Sequence, residues 1–289
     1  MARKLSGKKQ NERIRRIEAY VVLTVISMAF LFPVLWMIFN SFYDSTQTTA
    51  YPPKLIPHPW TLRSYRSILK VSGDANVLNY FKNSLIVTVL ATAGTLISCS
   101  LTAFGFAKLK SKYKNILFMV VLSTMMIPTT VTLIPLYNIY SKVGFIDTLW
   151  PLILPFFFGG SAFSIFLLRQ FFSAIPRELT EAAIIDGCGW FDVFLRIILP
   201  NAKPALVVVL LNSVVQHWND YFIPMIMLSS RKKYTIAIGL SFSKDMYGNI
   251  IDTGPMMAMA VLAILPILIL YLFGQKSLIE GVVTTGIKG

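Results

Sequence analysis

The feature that most limits what this chain can fold into is the spacing of its ionisable side chains. No Asp, Glu, Lys or Arg occurs between Glu18 and Asp44, Lys82 and Lys108, Lys114 and Lys142, Asp147 and Arg169, or Asp252 and Lys276. Each gap holds about 20–27 residues, enough for a helix to cross a hydrocarbon layer roughly 30 Å thick. A sixth run, Pro204 to Ser230, is interrupted only by His217 and Asp220. The runs lack the alternation of a membrane barrel, and a helix satisfies its own backbone in lipid. An all-α, polytopic membrane protein with six transmembrane helices is expected, with spans near 20–43, 83–107, 116–138, 149–168, 204–229 and 254–274. Flanking them are a basic segment at 1–19, a long loop at 169–203 and a tail at 275–289.

Composition agrees. Of 289 residues, 55% are hydrophobic and 14% charged, against about 25% charged in soluble domains, too few to cover a water-facing surface. A net charge of +14 suggests nucleic acid only if it forms one basic face, and here it lies in short stretches between apolar runs. Cys99 and Cys188 cannot build a disulfide framework. His58 and His217 are too scattered for a metal site.

Seventeen Lys and Arg fall in the segments on the N-terminal side of the membrane and ten on the other. The cluster Arg3 to Arg16 and the set Lys108, Lys110, Lys112 and Lys114 decide the bias, which places both termini in the cytoplasm. Asn40 to Asp44 offers no small-x-small cleavage site, so the first run reads as a retained helix rather than a signal peptide. The loop after it is Pro-rich, with a short helix expected near Leu62–Leu69. In the second span Ala91, Gly94, Thr95, Ser98, Thr102 and Gly105 form a small-residue stripe that allows close packing. Prolines 33, 128, 135, 155, 224 and 266 are expected to kink their spans.

The loop 169–203 is longer than a connection needs. Ile175-Pro176-Arg177-Glu178 looks like a helix start, Glu181-Ala182-Ala183 continue it, and Gly187 supplies a left-handed stop. A second amphipathic piece runs from Trp190 to Leu199 and ends at Pro200. The result is a helix–turn–helix knob, with Ala182 and Ala183 keeping it narrow and Arg177 and Glu181 able to make directed contacts. On residues alone, such a knob either docks in a partner's groove or lies on the membrane surface.

Glu181-Ala182-Ala183-x3-Gly187-x9-Ile197-x-Leu199-Pro200 resembles the EAA signature of permease subunits of binding-protein-dependent ABC importers. Further matches point to the sugar-transporting branch and its six-span maltose-type subunit: Pro52-Pro53-x-Leu55-Ile56-Pro57, Asn83-Ser84, Ala103-Phe104-Gly105-Phe106-Ala107, Trp218-Asn219 and Gly286-Ile287-Lys288-Gly289. The resemblance implies the type I importer permease fold in a bacterial inner membrane, with a second homologous permease subunit and two ATP-binding subunits. An extracytoplasmic solute-binding protein would deliver a carbohydrate, its contact falling on the loop Arg231–Asp252. The knob would couple to the ATPase through Arg177, Glu181, Ala182, Ala183, Gly187, Ile197, Leu199 and Pro200, helped by the tail 286–289. No cofactor is expected in this chain; ATP and Mg2+ belong to the partner subunits, because Gly274-Gln275-Lys276-Ser277 lacks the upstream glycine of a phosphate loop.

The competing reading is an ion-gradient-driven secondary transporter built on Asp220, an intramembrane acid. Trp218, Asn219 and Asp220 either line a sugar path, with Trp218 stacking on a pyranose ring, or serve packing and capping. A membrane enzyme would need ionisable groups gathered at one depth, and the spans are too clean for that.

Overall fold

The computed structural model describes residues 2–48, 50, 55–70, 76–242 and 252–286, with side chains described from residue 13 to residue 274 except at Ser45. Among the described residues the secondary structure is helical, without strands. The chain forms two compact units, residues 1–70 with 243–262 and residues 71–242 with 263–289.

In the first unit, helix α1 runs unbroken from Ala2–Ser41, so the basic segment 1–19 is part of the helix rather than a separate piece. Lys and Arg are good helix formers, and nothing between Arg16 and Tyr20 breaks the pattern. Its apolar side chains are exposed from Tyr20 to Phe32, as suits a surface solvated by lipid chains. The expected short helix is α2, Arg63–Lys70. Arg63 Nη1 lies 2.8 Å from the Asp252 carboxylate, and the Thr253 hydroxyl donates to Asn40 Oδ1 at 3.1 Å. Trp60 packs between Phe39 and Phe42. Pro52 and Pro53 lie outside the described residues.

The second unit is organised around α3, Val77–Lys108. Asn76 caps its start, accepting from the Leu78 amide at 2.8 Å. The small-residue stripe is an internal packing face: Ala91 and Thr95 are buried, and the Ser98 hydroxyl donates to the Phe156 carbonyl at 2.7 Å. A Cβ on Gly94 would come within 2.7 Å of the Phe157 ring, whereas one on Gly105 would meet nothing. The stripe therefore works at its centre and not at its end.

Four described helices are long and apolar enough to cross a membrane: Arg13–Ser41, Val77–Lys108, Trp150–Ala174 and Gly254–Gly274. Two further stretches qualify only as bent pairs: one covers the third expected span, and the other, Trp190–Asn201 with Lys203–Asn219 at 81°, joins the last part of the loop 169–203 to the first part of the fifth expected span. Helices Lys114–Met126 (α4) and Thr129–Val143 (α5) meet at 97°, where Ile127 and Pro128 take extended backbone. A residue before proline is driven out of the helical region, which explains the break. Six spans result if each bent pair counts as one. Pro135 sits inside α5, Pro33 inside α1 and Pro266 inside the helix Gly254–Gly286, and these helices continue past their prolines.

The expected helix 149–168 is also interrupted. Helical turns at Trp150–Ile153 and Leu154–Phe158 stop at Gly159, which has φ +78°, and α6 restarts at Ala162–Ala174. Two consecutive glycines weaken a helix, and Ser161 caps the restart by accepting from the Ser164 amide. The fifth expected span ends as helix α9, Lys203–Asn219, and resumes as α10, Phe222–Met227. Helix α11, Gly254–Gly286, runs beyond the expected boundary at 274.

Asp147, at φ +58°, closes a clasp 82 residues long in sequence. Its carboxylate accepts from the Ser229 and Ser230 amides at 2.9 and 2.8 Å and lies 3.0 Å from Lys233 Nζ. Partial burial works against the charge, but the hydroxyl and amide of Ser230, the Ser229 amide and Lys233 outweigh it and hold the carboxyl well below the usual carboxylate range. A depressed folded-state pKa means the clasp is at full strength above the ordinary carboxylate range and weakens only as pH falls below it.

Candidate functional site

The expected knob is a helical hairpin packed on the end of α3. Helix α7, Arg177–Ile185, follows the extended residue Ile175 and Pro176, and Lys108 Nζ donates to the Ile175 carbonyl at 2.7 Å, fixing where it starts. Its end is closed by three backbone bonds: the amides of Asp186, Gly187 and Cys188 donate to the carbonyls of Ala182, Ile184 and Ala183 at 2.9, 3.0 and 2.9 Å. The last two form a Schellman motif, which needs left-handed backbone at the residue after the cap. Gly187 supplies it with φ +87°, and Cys188 packs on the core beneath.

The second arm, α8 (Trp190–Asn201), was expected to stop at Pro200. Instead it passes through that proline, with a π-helical stretch at Val193–Ile198 immediately before it. Widening the helix moves carbonyls away from the proline ring and tolerates its missing N–H. Val193, Phe194, Ile198 and Ala202 are buried, while Ile197 and Leu199 pack at the edge of the same cluster. Pro200 is exposed.

Successive helical residues are about 100° apart, so Ala182 and Ala183 cannot both face outward. Ala183 is buried in the chain's own core beside Thr180, whereas Arg177, Glu181 and Ala182 are exposed. The free face of α7 carries Glu178, Glu181, Ala182 and Ile185. Sequence reasoning missed Ile185, a large apolar side chain that is 84% exposed. The signal was there, because Thr180, Ala183 and Gly187 mark the inward face at i, i+3 and i+7, and Ile185 lies opposite.

Aromatic contacts tie the hairpin to α3. The Phe104 ring lies 5.2 Å from Phe194 and 6.4 Å from Trp190. Changing Gly187 tests how much the turn depends on backbone alone, since a Cβ there would meet no atom within 4 Å. Gly187→Ala should weaken the turn by about 1–2 kcal/mol, and Gly187→Asn by much less, because asparagine tolerates left-handed backbone. Hydrogen exchange at the Gly187 and Cys188 amides, about tenfold faster in the alanine variant only, is the expected reading.

The other candidate cluster is dispersed. Trp218 is buried, its indole N–H donates to the Ala263 carbonyl at 2.9 Å, and its ring stands edge-on to Phe81. Its faces are turned to the interior rather than to an open path. Asn219 is exposed. The Asp220 carboxylate accepts from the Ile223 amide at 3.4 Å, as a cap on α10. Of the loop Arg231–Asp252, residues 243–251 lie outside the described residues, as do tail residues 287–289. No group of three metal-ligating side chains occurs among the described residues.

Comparison with known proteins gives one consistent result. Residues 94–282 match the family described as binding-protein-dependent transport system inner membrane component. The putative ABC transporter permease protein ORF2 of a Caldicellulosiruptor species is 33% identical over 93% of this chain and 96% of its own length. The arabinooligosaccharides transport system permease protein AraQ of Bacillus subtilis is 32% identical over 96% of this chain and 97% of its own. Among solved structures, a bacterial ABC transporter involved in the import of the acidic polysaccharide alginate superposes with a TM-score of 0.79 at 23% identity, covering 92% of this chain and 97% of that one.

Proposed function

Because the chain belongs to the family of binding-protein-dependent transport system inner membrane components, and is therefore a multi-pass ABC transporter permease, we propose that it forms one half of a pore for an oligosaccharide. The other half is a second, homologous permease subunit. Two copies of an ATP-binding subunit bind ATP and Mg2+ and supply the energy, and an extracytoplasmic binding protein delivers the sugar. This chain binds no nucleotide and hydrolyses none.

The observation that carries this reading is the hairpin itself: a stable turn that shows a partner one face of a short helix. Glu178 and Glu181 offer charge on that face, Ala182 leaves room for close approach, and Ile185 offers an apolar anchor. Ala183 behind that face and Val193, Phe194 and Ile198 of the second arm are buried in the chain's core, so a push on α7 moves the body behind it instead of folding the hairpin aside. In this arrangement both termini lie in the cytoplasm, and the tail contributes to the ATPase contact. Relatives named for oligosaccharide transport support a carbohydrate as the cargo. Trp218 serves packing in this chain, so contacts to the sugar fall to Asn219 and the opposite subunit.

The test is purification of the complex through an N-terminal tag after gentle solubilisation, followed by mass spectrometry of the chains that come with it. A second multi-span chain and an ATP-binding chain are expected, with sugar uptake into vesicles that requires ATP. A chain that purifies alone and drives uptake from an ion gradient overturns the proposal.

A further inference from the structure

Between the last turn of α3, the loop after it and α7 lies an open cavity of about 780 Å3. Four cations line it, Lys108, Lys110, Lys114 and Arg177, against the single carboxylate of Glu181. None of the four forms an ion pair among the described residues. Two are held in place by backbone: Lys108 Nζ donates to the Ile175 carbonyl and Lys114 Nζ to the Leu109 carbonyl, at 2.7 and 3.1 Å. Each of these ammonium groups keeps further N–H donors for another acceptor.

A second observation points the same way. Thr180 also lines the cavity, is 95% buried, and its hydroxyl has no hydrogen-bond partner. Buried hydroxyls are nearly always satisfied, so a missing partner marks a place where one is to be supplied. A lone hydroxyl beneath four cations that outnumber the carboxylate among them calls for an anion with several acceptor oxygens.

We infer that this cavity binds a phosphate-bearing anion. The oxygens of a phosphate group meet a planar Arg fork and several Lys point charges together, a match that a carboxylate makes less completely. The cavity is much larger than a lone phosphate, leaving room for the group it esterifies. Leu109, Ile184 and Trp190 provide an apolar rim, and tryptophan favours the boundary between lipid and water. An anionic phospholipid headgroup suits such a basic pocket at a helix end, and a soluble phosphate monoester would offer the same chemistry. The assignment stands on the cavity alone and holds whether or not the hairpin couples to an ATPase.

The experiment uses the full complex in nanodiscs of phosphatidylcholine, with or without phosphatidylglycerol, and counts retained lipid by native mass spectrometry. Wild type is compared with Thr180→Val, which keeps the side-chain volume, and with the pair Lys110→Gln and Lys114→Gln. A parallel arm titrates glycerol 3-phosphate and inorganic phosphate into phosphatidylcholine nanodiscs by calorimetry. Retention of phosphatidylglycerol that drops about tenfold in the variants supports the inference and makes lipid the source. Binding of glycerol 3-phosphate that weakens in the same variants supports it with a soluble source. Equal retention of both lipids with no soluble binding, or binding unchanged in both variants, overturns it.

Discussion

Glu181→Lys is expected to lower ATP-driven uptake at least about tenfold while the chain still inserts and still assembles with the second permease subunit proposed for it. Glu181 is exposed on the free face of α7 and forms no ion pair among the described residues, so reversing its charge breaks no direct pair within this chain, and membrane abundance checks the effect of a fifth cation beside the four of the neighbouring cavity. What it changes is the potential offered to a docking partner, where a like charge set against the partner's own costs several kcal/mol. Gly187→Pro should be at least as damaging, for a different reason. Proline fixes φ near −65°, which cannot meet the +87° found here, and it deletes the amide that donates to Ile184. Uptake of labelled oligosaccharide, read beside the membrane abundance of the chain, separates coupling from folding. If both variants transport at the wild-type rate, the hairpin is not the coupling element.

Gly94→Leu should destabilise the packed centre of the second unit by about 1–3 kcal/mol, the usual range for forcing extra carbons into a filled interior. Even the first of those carbons would sit 2.7 Å from the Phe157 ring. The ring cannot simply retreat with its backbone, because one helical turn further along Ser98 pins the Phe156 carbonyl to α3. A lower thermal midpoint of the purified complex is the expected reading, with much of the loss recovered in the double variant Gly94→Leu, Phe157→Ala. A double variant no better than the single one would mean that the two residues do not oppose each other.

The places where sequence reading succeeded share a physical cause, and so do its failures. Gaps between charges locate apolar helices because desolvating a charge dominates everything else along such a segment. The start of α2, the body of α7 and the turn at Gly187 were readable because caps and left-handed glycines are local chemistry. Bends were readable only in part. A kink was expected at Pro128 and is found, but the charge gap from Lys114 to Lys142 says nothing of its 97°, since both halves are equally apolar, and prolines at 33, 135 and 266 look the same in sequence but sit within helices that continue. The Asp147 clasp was invisible for another reason: its partners at 229, 230 and 233 are far along the chain, and nothing near Asp147 announces them. The Trp218 cluster read either as a sugar path or as packing and capping, because its residue types suit both. Only the Ala263 carbonyl 45 residues away and the Phe81 ring reveal that the indole is already occupied.

The length of α3 has a mechanical consequence. Thirty-two helical residues make a rod about 48 Å long. One end is bolted to the hairpin through Phe104, Trp190 and Phe194. Near the other, Asn83 donates to the Lys232 and Tyr234 carbonyls and Ser84 accepts from the Ile236 amide. A stiff rod gripped at both ends does not absorb motion; it relays it. A small rocking of the hairpin is therefore passed to the loop that begins at Arg231, and a load applied to that loop is felt at the hairpin without any intermediate having to unfold.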